Sequence, residues 1–509
     1  MTITISSAHS EDNGSEPTRM TMGVAGLDDI LNGGLPANRV YLIEGEPGTG
    51  KTTISLQFLL EGARLGQSGL YITLSESKEE LEAVAKSHGW CLDGFAIYEL
   101  VPPEDSLRPE SQYTIFHPAE IELGETTNAV LEEVERNKPQ RVVFDSLSEM
   151  RLLASNPLRF RRQILALKQY FAGRHSTVLL LDDKVYGEQD LQVHSIVHGV
   201  ISLEHLAVEY GAERRRLRVT KMRGSQFRGG YHDFTIQTGG IVTFPRLVAA
   251  EHHVDYKRES LTSGLVELDS LLGGGLDRGT STLILGPAGS GKSTLAAQFA
   301  AARAARGELT AAFIFDELKE TFIARAAKTG LDVSGFMNAD LLTVQQIDPA
   351  ELSPGQFAHT VRDAVDRNNA RVVIIDSLNG YLNAMPDERF LTIQMHELLT
   401  YLNQKGVATI MVMAQHGFLG TSMGTPVDVS YLADTVMMLR YFETEGAVRR
   451  AISVIKKRSG PHEHTIRELN ITSEGVRIGS PLSQFRGVLT GVPIYEGETK
   501  QGGKGDDGS

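Results

Sequence analysis

Gly45-Glu-Pro-Gly48-Thr49-Gly50-Lys51-Thr52 and Gly286-Pro-Ala-Gly289-Ser290-Gly291-Lys292-Ser293 are the two stretches on which the reading of the fold turns. Both fit Gly-x-x-x-x-Gly-Lys-Ser/Thr, the P-loop, a turn between a strand and a helix whose glycines let backbone N–H groups close around phosphate oxygens. The helix that follows adds a favourable partial charge at its N-terminus. Lys292 follows Lys51 by 241 residues, and the same spacing relates the lead-in Gly23-Val-Ala-Gly-Leu27-Asp28-Asp-Ile-Leu31-Asn-Gly33-Gly34-Leu35 to Gly264-Leu-Val-Glu-Leu268-Asp269-Ser-Leu-Leu272-Gly-Gly274-Gly275-Leu276. A period this long is a duplicated domain and not a solenoid unit.

Around each P-loop, short β-branched runs alternate with helical patterns. The first repeat carries Arg39-Val-Tyr-Leu-Ile-Glu, Leu70-Tyr-Ile-Thr-Leu, Arg141-Val-Val-Phe-Asp145 and Thr177-Val-Leu-Leu-Leu; the second carries Ser281-Thr-Leu-Ile-Leu, Ala311-Ala-Phe-Ile-Phe, Arg371-Val-Val-Ile-Ile-Asp376 and Ala408-Thr-Ile-Met-Val-Met. Continuous apolar runs suit strands covered on both faces, so each repeat is expected to be an α/β domain around a mostly parallel twisted sheet flanked by helices. The expected organisation is a disordered leader over 1–17, a first domain over 18–248, a linker over 249–262, a second domain over 263–495 and a disordered Gly-rich tail over 496–509.

Composition removes several classes of function. The 509 residues hold 50 Lys plus Arg against 64 Asp plus Glu, a formal charge of −14, which argues against electrostatically driven binding to bare nucleic acid. With 41% hydrophobic and 22% charged residues the chain has the material for buried cores. Cys91 is the only cysteine, which excludes an internal disulfide and a multi-cysteine zinc site and fits a cytoplasmic location; it is expected to be a buried small residue. No apolar run approaches the ~20 residues that cross a bilayer.

The chemistry-bearing residues follow from the P-loop. ATP contacts are expected from Gly45, Gly48, Thr49, Gly50, Lys51, Thr52 and Thr53, and from Gly286, Gly289, Ser290, Gly291, Lys292, Ser293 and Thr294, with each lysine neutralising the β- and γ-phosphates. Thr52 and Ser293 are placed to ligate Mg²⁺. Asp145 and Asp376, each ending an apolar strand, are placed to orient that ion through its water shell, with a helix cap as the alternative. Hydrolysis also needs a group that positions or deprotonates water. Asp316 and Glu317 end a strand in the second repeat; Ser75 and Glu76 are their counterparts, so only Glu76 is an acid there. Here too the alternative is a cap on the helices beginning near Lys78 and Lys319.

With paired P-loops, paired lead-ins and these carboxylates in place, residues 18–495 resemble the KaiC family of tandem RecA-like circadian-clock ATPases. The late segments Lys221-Met-Arg223-Gly-Ser, Ala451-Ile-Ser-Val-Ile-Lys456-Lys-Arg458 and Ile466-Arg-Glu-Leu support it. The resemblance implies a two-tiered homohexamer in which Lys221, Arg223, Lys456 and Arg458 reach the nucleotide of the neighbouring protomer; taken alone, such a cluster is more often a solvated face. It also implies serine/threonine autokinase activity in the second domain, with Ser430 as acceptor and Glu317 as base. The family's acceptor is a Ser-Thr pair, whereas this chain has Ser430-Tyr431, so a two-site phosphorylation cycle does not carry over. The alternative there is the start of a strand. The first repeat has His194-Ser195 at the aligned place and His198 opposite Asp434, which leaves that repeat as an ATPase and assembly module.

Two rival classes are open at this point. One is a DNA recombinase or helicase motor, for which the basic segments Glu213-Arg-Arg-Arg-Leu-Arg218 and Arg159-Phe-Arg-Arg162 are the best candidates, against the overall charge and the lack of an aromatic-basic stretch. The other is an ATP-dependent assembly or signalling scaffold with little kinase activity and output through a signalling protein partner such as a histidine kinase.

Overall fold

Successive side chains of a strand point to opposite faces, so a strand that is apolar throughout needs cover on both sides. In the first domain Leu42, Ile72, Phe144 and Leu180 belong to one apolar core, and their chain neighbours Ile43, Tyr71, Val143 and Leu179 belong to another. The second domain divides Leu283, Phe313, Ile375 and Met411 from Ile284, Ala312, Ile374 and Ile410 in the same way. Each sheet is therefore the middle layer of three.

The computed structural model describes residues 18–100, 118–154, 156–184, 190–207, 210–382, 388–415, 431–489 and 494–495. The expected leader and tail, and the candidate acceptor Ser430, lie outside the described residues. The chain forms two compact units, one reaching to Arg246 and the other beginning at Leu247, with Tyr210–Ala212 grouped with the second. Of the segment read as a linker, Ala249–Glu251 forms a 3₁₀ turn whose Ala249 is buried in the core of the second unit, and Ser260–Leu261 pairs with Leu276–Asp277.

Both units contain a nine-stranded sheet of one topology. In the first, the strands run Gly240–Phe244, His232–Gln237, Arg214–Met222, Gly199–Leu206, Val40–Gly45, Thr177–Asp183, Arg141–Asp145, Gly69–Thr73 and Ala96–Glu99 across the sheet. The last six of that order are parallel, and the first three extend the sheet as an antiparallel meander. The second sheet repeats this with Ser281–Gly286 in the place of Val40–Gly45 and Val372–Asp376 in the place of Arg141–Asp145. These are two tandem RecA-like α/β domains. Four of the six parallel strands in each sheet were legible from their apolar runs, whereas Ala96–Glu99 and Gly199–Leu206, with their counterparts Leu342–Gln346 and Thr435–Thr444, were not. Of the antiparallel meander, only the final strand of the first repeat was legible.

Candidate nucleotide sites

A helix that begins at the last glycine of a tight turn needs a residue free to take positive φ. Gly50 and Gly291 cap the helices Lys51–Arg64 and Lys292–Ala304 at φ 98° and 101°, which is where the P-loop motif places its second invariant glycine. Gly45 and Gly286 are required for a different reason: a Cβ on either would stand 2.8 Å from the carbonyl oxygen of Leu203 or Leu439 on the adjoining strand. The strand-turn-helix context predicted for both motifs is therefore present.

Each P-loop lysine is folded back onto its own loop. Lys51 Nζ donates to the carbonyls of Gly45 (2.7 Å) and Glu46 (3.0 Å) and pairs with Asp183 at 2.9 Å. Lys292 Nζ donates to the Pro287 carbonyl at 2.8 Å, and its burial lowers its proton affinity against the opposing pull of Asp376 and Asp316. Asp183 was missed by sequence reasoning; the acidic pair Asp182-Asp183 at the end of an otherwise apolar strand was the available signal. Its neighbour Asp182 accepts from Ser148 Oγ at 3.0 Å and pairs with Arg151.

Asp145 and Asp376 sit two strands from their P-loop strands and are both buried. Their partners differ. Tyr71 donates its hydroxyl to Asp145 Oδ2 at 2.5 Å, and burial raises the pKa of Asp145 against that bond and the charge of Lys51. At the position of Tyr71 the second repeat has Ala312. Asp376 Oδ2 is buried without a hydrogen bond, and burial, with Glu317 and Asp316 nearby, pushes this carboxyl up to about 6 although Ser293 hydrogen-bonds to it. A buried carboxylate oxygen left unsatisfied beside a hydroxyl of the P-loop helix fits a hard divalent cation that takes one or two protein oxygens and completes its shell with water and phosphate.

Neither Glu76 nor Glu317 caps its helix through a side-chain hydrogen bond. Ser77 caps Lys78–Ser87 through a reciprocal pairing with Glu80, and Lys319–Lys328 starts at Leu318 with no side-chain cap. Glu76 is held instead by its backbone, which exchanges hydrogen bonds with Thr73 Oγ1 at 3.0 and 2.7 Å. Its Oε2 is buried without a partner, and burial, then Asp145 and Glu80, raise its pKa against Lys51. Asp316 accepts from Ser377 Oγ, while Glu317 pairs with Arg325, a partner that sequence reasoning did not find.

Lys221 and Lys456 lie far from their own P-loops. Lys221 is opposite Val200, which neighbours Leu42; Lys456 is opposite Val436, which neighbours Leu283. Each register stands three residues, or about 10 Å of strand, before the glycine that opens the P-loop, and Arg223 and Arg458 lie beyond the strand ends. Lys221 Nζ donates to the carbonyls of His194 and Val197, the latter at 2.8 Å, and Arg223 to that of Ser195 at 2.8 Å. In the second domain Lys456 donates to the Ala433 carbonyl at 2.8 Å and Arg458 to that of Tyr431 at 3.2 Å. The structure thus groups the four cations with the two aligned segments and not with either P-loop of their own domain. Tyr431 is 51% exposed and precedes the strand, which begins at Thr435.

Two smaller expectations are corrected or bounded. Cys91 is exposed and donates to Asp93 Oδ2 at 2.7 Å, because it falls in the polar turn after the helix Lys78–Ser87 and not in a core. The basic run Arg214–Arg218 is a sheet strand whose Arg214 is buried, Arg215 pairs with Glu213 and Arg216 pairs with Glu204 at 2.8 Å. Among the described residues no helix is long and apolar enough to cross a membrane.

A family model described as "ATPase: KaiC" matches residues 20–248 and again 261–483. Among curated proteins, the circadian clock protein KaiC3 of Synechocystis sp. is 27% identical over 496 residues, covering 95% of this chain and 96% of its own. The circadian clock oscillator protein KaiC of Synechococcus elongatus is 26% identical over 499 residues, covering 95% and 94%. That of Thermostichus vulcanus is 26% identical over 496 residues, covering 96% and 94%.

Proposed function

The chain belongs to the KaiC family of ATPases, and from that premise we propose a Mg²⁺-dependent, ring-forming ATPase whose second domain also phosphorylates serine on its own kind. The observation that carries the reading is the doubled site: P-loop lysine, P-loop hydroxyl, buried aspartate and strand-end glutamate recur at the same sheet edge in both domains. Lys51 and Lys292 would exchange their carbonyl partners for phosphate oxygens. Mg²⁺, held by Thr52 or Ser293 and oriented by Asp145 or Asp376, would neutralise charge on the phosphates. Glu76, and Glu317 with Asp316, orient the attacking water and take its proton.

Homohexamer formation supplies what a single protomer lacks. With Lys221, Arg223, Lys456 and Arg458 at the far edge of the sheet from their own P-loops, a role in phosphoryl transfer requires a second copy of the chain. A ring of heterologous contacts brings such an edge against a neighbour's nucleotide, where an added cation stabilises the transferring phosphoryl group.

For the kinase step, Ser430 Oγ attacks the γ-phosphorus of the neighbour's ATP. The Oγ–P bond forms, the bond to the β-phosphate bridging oxygen breaks, ADP leaves and the hydroxyl proton passes to Glu317. The contact of Arg458 with the carbonyl of Tyr431 supports this, since it ties the acceptor segment to a cation assigned to the neighbour's site. The output is signalling or clock-type regulation through a protein partner. A second reading, an assembly scaffold with little kinase activity, is favoured by Tyr431 where the family has a second aliphatic hydroxyl, and by Ser75 and the Tyr71–Asp145 bond in the first site.

Incubation of the purified chain with γ-labelled ATP and Mg²⁺, reading released phosphate and protein-bound label together, decides between them. Bound label that disappears in Ser430→Ala is the expected result; phosphate release with no bound label selects the scaffold.

A further inference from the structure

The two strand-end glutamates are not equivalent. Arg325, on the helix Lys319–Lys328, sends Nη2 to the Glu317 carboxylate and Nη1 to Thr294 Oγ1 at 3.2 Å. Thr294 is a buried residue of the helix that begins at the P-loop lysine. A planar guanidinium offers its donors at fixed separation and angle, so a single side chain that meets both groups sets the distance between them. The carboxylate is thereby referred to the phosphate-binding helix and not only to the end of its own strand. The same positive charge offsets part of the mutual repulsion among Asp316, Glu317 and Asp376.

Among the described residues the first domain has no such fork. The position 241 residues before Arg325 is Val84, which packs at the edge of the apolar core, and Glu76 Oε2 is buried without a partner. A carboxylate that must take a proton from a nucleophile has to be placed to within a fraction of an ångström, and a misplacement of about 1 Å costs on the order of a hundredfold in rate.

We propose that Arg325 is a positioning residue for the second domain, fixing Glu317 against the P-loop helix so that its carboxylate meets the attacking oxygen. This rests on the reading of Glu317 as the proton acceptor. The first site, lacking the fork, runs with a less constrained glutamate.

The test uses the full-length chain, taking as the second-domain share of turnover whatever is lost when Lys292→Ala is added. Arg325→Ala is expected to lower kcat of that share by about 10–100-fold while KM for ATP stays within about twofold. Arg325→Lys, which keeps the charge and loses the fork, should recover only part of it. Glu317→Gln/Arg325→Ala should be no slower than Glu317→Gln alone, because a residue acting through another adds nothing once the other is gone. Wild-type kcat in Arg325→Ala beside an impaired Glu317→Gln overturns the proposal alone. An unimpaired Glu317→Gln overturns the underlying reading and the proposal together. A loss in Arg325→Ala that is additive with Glu317→Gln, or that appears as a raised KM and lowered melting temperature, assigns Arg325 to folding instead.

Discussion

The imidazole of His194 lies 2.6 Å from the carboxylate of Glu44, joining the helix Asp190–Ile196 to the strand that runs into the first P-loop. An ionised carboxylate only accepts, so Nε2 donates. Ser202 Oγ donates to the other carboxylate oxygen at 2.5 Å, and although burial opposes ionisation, these bonds hold Glu44 below the usual glutamate pKa. The second domain has Leu285 and Met438 in the places of Glu44 and Ser202. Because the folded pKa lies below the unfolded one, the stabilisation is complete above about pH 4.5 and is lost as pH falls through the folded value. Glu44→Gln should cost about 1.5–3 kcal/mol at neutral pH. In urea melts run from pH 7 downward, the gap between variant and wild type should close only below pH 4.5; a gap that is constant across that range would mean the charge contributes nothing.

Gly62 sits where a Cβ would meet Cδ of Arg141 at 2.4 Å and its Nε at 2.7 Å. Arg141 is fully buried, donating to the carbonyls of Thr21 (2.6 Å) and Phe58 (2.8 Å) and to Gln67 Oε1 at 2.7 Å, with its guanidinium over the Phe58 ring. Burial brings its pKa down to about 10. In the second domain the same two places hold Arg303 and Val372, so a buried arginine enters from the helix instead of from the strand. Gly62→Ala should therefore destabilise the first domain by about 1–3 kcal/mol, an overpacking cost that the usual gain of helix propensity does not offset. Differential scanning calorimetry measures it; an unchanged or raised melting temperature refutes the account.

Under the proposed Mg²⁺ role, Asp376 is a charge held at the expense of the fold. Its buried Oδ2 has no hydrogen bond, so Asp376→Asn should stabilise the nucleotide-free protein by about 1–2 kcal/mol while lowering second-domain turnover by about 10–100-fold. Asp145 is already partnered by Tyr71, and Asp145→Asn should show no comparable gain. Equal thermal shifts in the two variants would remove the distinction between the sites.

How much of this was legible in the chain depends on whether neighbours in space were also neighbours in pattern. The P-loops, Asp145, Asp376 and the two-faced strands declare themselves through spacing and runs, because they are consequences of local geometry. Asp183, Tyr71 and Arg325 do not, since each reaches its partner across the sheet or between helices, and an acid, a phenol or a base on an amphipathic segment reads as ordinary surface or core. The meander is mostly obscured for a related reason. Its strands Arg214–Met222 and Ala447–Lys457 mix runs of arginine and lysine with apolar residues, and many of their positions are only half buried, which resembles an exposed polar stretch. Arg141 was read as the first residue of a strand, correctly, with nothing in its neighbours to say that its side chain is fully buried.

The two lysines should separate in their effects. Lys51 is tied to Asp183 and two carbonyls, so Lys51→Ala leaves an acidic partner uncompensated as well as removing a phosphate contact. It is expected to weaken ATP binding at the first site and ATP-driven assembly, measured by sedimentation with and without nucleotide. Lys292→Ala should leave assembly in place and abolish second-domain phosphate release. Loss of assembly in Lys292→Ala with assembly intact in Lys51→Ala would invert the division of labour between the domains.

The far-edge position of Arg458 yields a test that needs no structure of a ring. Subunits carrying Lys292→Ala keep a competent Arg458 but no working second P-loop; subunits carrying Arg458→Ala keep the P-loop but lack the cation. Each alone should be inactive at the second site. If Arg458 acts on a neighbour's nucleotide, mixing the two before adding ATP creates interfaces in which the first kind supplies the cation and the second kind the P-loop. Random assembly in a heterologous ring makes about a quarter of all interfaces of that type, so about a quarter of wild-type second-domain turnover should return. A cation acting on its own domain's nucleotide would have to cross about 10 Å or more of sheet from the register of Lys456, and mixing would then restore nothing above the sum of the separate activities.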